Sequence, residues 1–299
     1  MEILKWLRSE DCTWDEEACR SAAGNGQLEV LKWLRSEGCP WNAEASWMAA
    51  EHGHLEALKW LRSEGCPWNE SACAGAAKGG HLGVLKWLRS EGCPWNEEAC
   101  WGAAQHGHLE VLKWLRSEGC PWDEETCSGA AEYGHLDVLK YLHENGCPWD
   151  ERTCASAAEN GHLITLKYAH ENGSPWVEET CHVAAEKGHL DVLKYARENG
   201  CPCNCRTWPA ALLYSRLNSR MSAVKSCLDW LEENGCPQDY IEDDEYNYSD
   251  DYSEDRNVAV NVDHSDDNSE DHSVGVNVDH SDDNSDDSFP SFPSNWESL

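Results

Sequence analysis

No run of this 299-residue chain approaches the ~20 consecutive apolar residues that a membrane-spanning helix needs. Its opening, MEILKWLRSE, lacks the basic stretch and long apolar core of a secretory signal. Those two absences lead to the expectation of a cytoplasmic or nuclear protein with no membrane partner. Catalytic motifs are missing too: there is no glycine-rich phosphate loop, no Gly-x-Ser-x-Gly elbow and no His-Glu-x-x-His pair. The expectation is a protein that is not an enzyme and uses no cofactor. Within residues 13–237, alternation of polar and apolar residues at every second position, the mark of a half-buried strand, does not occur. Basic side chains nearly vanish at one end, where residues 238–299 hold one against 20 acidic ones and few apolar groups. Such a segment cannot offset the entropy of ordering, so 238–299 is expected to be a disordered acidic tail. Within it, NVDHSDDNSEDHSVGV from Asn261 is followed by NVDHSDDNSDDS from Asn277, a low-complexity repeat.

What the rest of the chain has is repetition. The dipeptide Leu-Lys falls at Leu4, Leu31, Leu58, Leu85, Leu112, Leu139, Leu166 and Leu193, 27 residues apart each time. A period of that size marks a solenoid, whose units are too small to bury an apolar face alone and bury it against their neighbours. Residues 1–237 are expected to form one such array. It opens with only a second helix, EILKWLRSE, either a half-repeat cap or a truncated product, and closes with an irregular repeat, because Leu193 to Leu228 spans 35 residues; the segment ending LDWLEENGCP reads as its C-terminal cap.

One unit shows the local logic. In NEEACWGAAQHG, Asn96 is a candidate N-cap, and Glu97 and Glu98 place negative charge where the helix dipole favours it. A first helix is expected to run to about His106, with Gly107 supplying a tight reversal. HLEVLKWLRSE then puts Leu109, Val111, Leu112 and Leu115 on one helical face and Glu110, Lys113, Arg116 and Ser117 on the other. Gly119, Cys120 and Pro121 end this second helix. Helices of about ten residues are marginal alone, so packing between repeats must stabilise them.

Seventeen cysteines would suit a disulfide scaffold, but without a secretory signal they are expected to be reduced thiols in the core. Equivalent residues of adjacent repeats lie about 8–10 Å apart, whereas zinc needs all donors within about 2.0–2.3 Å of one ion. A ladder of repeated Cys and His is therefore not a metal cage. His54, His81, His108, His135, His162 and His189 are expected to cap and pack, and Trp14, Trp41, Trp68, Trp95, Trp122, Trp149 and Trp176 to form a stacking ladder between repeats. CPCNCRTWP departs from the pattern; Cys201, Cys203 and Cys205 there are either a partial thiolate site with Cys227 or Cys236, or drift in a terminal repeat, which is the favoured reading. The basic ridge of Lys113, Arg116 and their counterparts is interleaved with Glu110 and Glu118, so it reads as a solvated face and not as a nucleic-acid surface.

AAQHGHLEVLKWLRSEGC resembles the helical half of an ankyrin repeat: an Ala-Ala pair, two variable residues, Gly-His, an amphipathic helix and a closing glycine. The resemblance extends over nearly all of 1–237. A standard ankyrin repeat has about 33 residues, and the six missing here fall between Trp122 and the next helix, where the β-hairpin finger would be. The family's Thr-Pro-Leu-His opening is altered, with Cys100 at the leucine place and Trp101 at the histidine place. The resemblance implies an all-α, ankyrin-like solenoid of stacked helix-turn-helix repeats, lined on its concave side by the first helices and their turns, and a protein partner.

Comparison of the repeats with one another shows a fixed framework and two variable columns. The first is Arg20, Trp47, Ala74, Trp101, Ser128, Ala155 and His182; the second is Asn25, His52, Gly79, His106, Tyr133, Asn160 and Lys187. The candidate partner-binding residues are Arg20, Asn25, Trp47, His52, Trp101, His106, Ser128, Tyr133, Asn160, His182 and Lys187, with Trp47 and Trp101 as anchors if they are exposed. The reading is a monomeric interaction scaffold for a protein partner whose identity the residues do not give. The competing reading makes the tail a polyanion that sequesters a basic protein, with the array addressing it.

Overall fold

The structure, a computed structural model, describes residues 2, 3, 6, 13–203 and 221–235. Among them there are helices and turns and no strand. The first helices of seven consecutive repeats are α1 (Glu16–Gly24), α3 (Ala43–Glu51), α5 (Glu70–Lys78), α7 (Glu97–Gln105), α9 (Glu124–Glu132), α11 (Glu151–Glu159) and α13 (Glu178–Lys187). The second helices are α2 (Leu28–Ser36), α4 (Leu55–Ser63), α6 (Leu82–Ser90), α8 (Leu109–Ser117), α10 (Leu136–Glu144), α12 (Leu163–Glu171) and α14 (Leu190–Glu198). A last helix, α15 (Met221–Glu233), packs on α13 and α14. No described helix is long and apolar enough to cross a membrane. The expected tail 238–299, the extra residues before α15 and Cys205 lie outside the described residues.

Each first helix packs on the first helices before and after it and on its own second helix. The Ala-Ala pairs are the reason the first helices can approach so closely: Ala49 and Ala50, Ala76 and Ala77, Ala103 and Ala104 are fully buried. Between the two layers runs a continuous leucine core, with Leu58, Leu61, Leu85, Leu88, Leu112 and Leu115 inaccessible to solvent. Burying one such side chain is worth roughly 1.5–3 kcal/mol, so two in each of the first five repeats supply stability that nine-residue helices lack alone.

Helix starts obey the expected capping at most repeats. Asn42 Oδ1 accepts from the Glu44 amide at 2.9 Å, and Asp123 and Thr126 form a reciprocal capping box. Asn96 departs from the expectation: its backbone is extended as a cap requires, but its Oδ1 is buried with no hydrogen-bond partner. The glycine-preceded histidines also differ from expectation in one respect. They occupy the N-cap positions of the second helices but make no side-chain cap bond. Each ring instead lies over the turn glycine of the preceding repeat. At Gly107, whose φ of 73° no β-carbon would tolerate easily, an added β-carbon would come within 2.8 Å of the His135 ring.

The Gly-Cys-Pro cysteines close each repeat on itself. Cys66, Cys93 and Cys120 donate from Sγ to the backbone carbonyls of Asn42, Asn69 and Asn96, each at 3.4 Å and 24 residues upstream. In the sixth repeat Ser174 makes the same bond to Asp150 at 3.1 Å. Thirteen described cysteines are free and buried. Burial pushes the Cys154 thiol up to about 11 and the Cys227 thiol up to about 12, so both stay protonated at neutral pH. Cys203 is the exception to the reduced reading, since it is disulfide-bonded.

The loop tryptophans do not stack on one another. Trp41, Trp68 and Trp95 stand edge-on to Trp60, Trp87 and Trp114 of the following second helix, at 5.9 Å between ring centres. Their other face is covered by the guanidinium of Arg35, Arg62 or Arg89 from the preceding second helix, at 3.8–4.1 Å. Inter-repeat contact is thus a cation–ring–ring clamp.

Candidate interaction face

The first column lies along the first helices and is half-buried throughout. Trp47 and Trp101, expected as anchors if exposed, pack over glycines of the next first helix. A β-carbon on Gly75 would meet Trp47 Cδ1 at 2.7 Å, and one on Gly129 would meet Trp101 Nε1 at 2.9 Å. Each indole is therefore seated in a notch cut by the glycine 28 residues on, a pairing the columns taken separately did not reveal. Arg20 is ion-paired to Glu17 at 2.7 Å and Glu44 at 3.8 Å. Ser128 donates from Oγ to the Glu125 carbonyl at 3.0 Å, and His182 Nε2 lies 3.5 Å from Glu186 Oε2.

The second column, from Asn25 to Asn160, occupies the C-caps of the first helices, where the last backbone carbonyls lack intrahelical partners. Asn25 and Asn160 donate from Nδ2 to the Ser21 and Ser156 carbonyls at 2.8 and 3.1 Å. His52 and His106 place Nδ1 at 3.0 and 3.2 Å from the Met48 and Gly102 carbonyls, so that nitrogen carries the ring proton. Asparagine and histidine recur here because they can reach the carbonyl four residues back. Gly79 has another cause: a β-carbon there would collide with the Glu51 carbonyl. Lys187 is the last residue of α13, ahead of the left-handed Gly188, and pairs with Glu159 and Glu186 at 3.6 and 3.3 Å.

Tyr133 departs from this rule in a third way. It cannot bond the carbonyl as Asn or His does, and 49% of it is exposed, the highest value for any candidate anchor. Its ring lies nearly parallel to His106 and His135, at 6.1 and 6.5 Å. His106 is in turn parallel to His108 at 6.4 Å, which makes a run of four rings across two repeats. Burial holds His81 and His106 below the usual histidine range, with neighbouring His108 and, for His106, Lys78 acting in the same direction. Among the described residues no group of three or more His, Cys, Asp or Glu side chains is arranged to hold a metal.

No family model and no curated protein matches the chain. Among solved structures it is similar to the ankyrin repeat domain of human ASB11, at 19% identity and a TM-score of 0.46, over 61% of this chain and 96% of that one. An overlap of that quality says nothing of partner or activity. The repeat geometry itself carries the likeness: an Ala-Ala pair between first helices, a Gly-His reversal and a second nine-residue helix, with short connections in place of a hairpin. The array is ankyrin-like. The eleven candidate residues lie on the first helices or at their C-terminal ends.

Proposed function

We propose that this ankyrin-like array is a non-enzymatic interaction scaffold that takes a protein partner on its first-helix face, around Tyr133, His106 and Trp101. The fold generally mediates protein–protein interaction, and the observation that carries the assignment to this place is Tyr133. It is a half-exposed aromatic flanked by parallel rings, on a column where the side chains of Asn25, His52, His106 and Asn160 are engaged in capping. Large rings in such settings are where interface energy concentrates. The acidic tail supports a second reading, in which its 20 acidic side chains sequester a basic protein. Capture from cell extract by immobilised full chain, by Tyr133→Ala and by Tyr133→Ala with Trp101→Ala separates the two. The scaffold reading expects capture to persist at moderate salt and to fall at least tenfold in the variants. Capture that ignores both substitutions and disappears with salt would replace it by the polyanion reading.

A further inference from the structure

The array is electrically one-sided. Its seven first helices carry 15 acidic and 4 basic side chains, whereas the seven second helices with their C-cap residues Glu37, Glu64, Glu91 and Glu118 carry 12 of each. Nearly all the net charge of the repeats therefore sits in the first-helix layer. The cations of that layer are already engaged. Arg20 pairs with Glu17 and Glu44, Lys78 with Glu51 at 2.8 Å, Arg152 with Asp150, Glu124 and Glu125, and Lys187 with Glu159 and Glu186. Glu70, Glu97 and Glu98, at the starts of α5 and α7, are exposed and have no ion pair.

Resting on the scaffold reading, we infer that the partner segment recognised by this face is basic, and that one of its arginine or lysine side chains lies over the Tyr133 ring. Three observations converge. The face has surplus negative charge that its own cations do not neutralise. Its one exposed anchor is a tyrosine, whose ring face attracts a cation. The same chain already covers Trp41, Trp68, Trp95 and Trp122 with arginine at 3.8–4.2 Å, so arginine on a ring is the contact this framework is built from. Nine-residue helices are about 13 Å long, so a segment lying across α7 and α9 reaches from Tyr133 to Glu97 and Glu98. An acidic segment would meet repulsion from the surplus, and a purely apolar one would leave it unused.

The test is titration of fluorescently labelled short peptides, one of arginine and glycine, one with glutamate for arginine and one with glutamine, into the full chain at physiological salt. The variants are Tyr133→Ala, the double variant Glu97→Gln with Glu98→Gln, and Glu110→Gln on the opposite layer, all with unchanged circular dichroism. The arginine peptide is expected to bind; Tyr133→Ala should weaken it about tenfold, the double variant severalfold, and Glu110→Gln not at all. Every variant retains the acidic tail, so a difference between them belongs to the face. Arginine-peptide binding that is the same in all variants, or glutamine- or glutamate-peptide binding of equal strength, overturns the inference. If extract capture still depends on Tyr133 while the arginine peptide fails to bind, the basic class is rejected and the scaffold reading stands; if both fail, both fall.

Discussion

In the first four repeats the second-helix aromatic is Trp33, Trp60, Trp87 or Trp114, and the group lying over the next loop tryptophan is Arg35, Arg62, Arg89 or Arg116. In the last three the aromatic is Tyr141, Tyr168 or Tyr195, and the covering group becomes His143, stacked on Trp149 at 4.1 Å, and His170, stacked on Trp176 at 3.5 Å. The core changes in the same direction. Leu34, Leu61, Leu88, Leu115 and Leu142 are succeeded by Ala169 and Ala196, all buried. Helix ends are finished differently as well. Ser90 Oγ donates to the Trp87 carbonyl at 2.7 Å, whereas Asn172 Nδ2 donates to the equivalent Tyr168 carbonyl at 2.8 Å. The two regions show that the fold fixes which positions must be filled and which carbonyls must be satisfied, and leaves open what fills them. They also differ in energy: a buried alanine contributes roughly 2–3 kcal/mol less than a buried leucine, by the transfer of three carbons.

The largest effect should come from erasing the core difference. Leu115→Ala is expected to cost about 2–5 kcal/mol in urea unfolding, because Leu115 is wholly buried and the site can collapse only in part. In the unaltered chain, hydrogen exchange should show amides of α12 to α14 opening at lower free energy than those of α4 to α8. Uniform protection along the array would abolish the distinction between the regions.

Caps give the next effect. Asn69→Ala is expected to lose about 1 kcal/mol because its Oδ1 accepts from the Ser71 amide, while Val177→Asn should gain a similar amount at a start that has no side-chain cap. Asn96→Ala should be close to neutral, since no cap bond is there to lose. Equal losses at Asn69 and Asn96 in thermal unfolding would contradict the cap assignment.

The smallest expected effect is that of acid. His81 and His106 are held below the usual range chiefly by burial, so the folded state favours their neutral forms. That contribution is complete above the unfolded value of about 6.5 and is lost as pH falls through it towards the folded values. Melting temperature should therefore decline between pH 7 and pH 5, and less so in His81→Gln. A melting temperature that rises on acidification would have the sign wrong.

The helix boundaries were legible because glycine, proline and the 27-residue spacing report backbone geometry directly. Leu109 to Ser117 is a helix with Val111, Leu112 and Leu115 buried, as its periodicity requires. The second column was harder to read. Variation at Asn25, His52, His106 and Asn160 looks like free choice until their side chains are seen returning to carbonyls four residues earlier. A polar residue immediately before the turn glycine was the available signal for that role. The burial of Trp47 and Trp101 depends on Gly75 and Gly129 in a different repeat, and only pairing of positions 28 apart would have exposed it. The missing cap bond at Asn96 has no sequence signal, because Asn42 and Asn69 sit in nearly the same context and do cap.

The sulfur of each Gly-Cys-Pro turn, by reaching a carbonyl 24 residues back, acts as a ruler. A residue inserted or deleted between the two ends moves the thiol off its mark and breaks the bond, whereas an entire unit added or removed leaves every such bond intact. Length errors smaller than a repeat are thus penalised locally, and changes of a whole repeat go undetected. The array can lengthen or shorten only in integers, and a version of this chain with six or eight units would close the same rings as the one with seven.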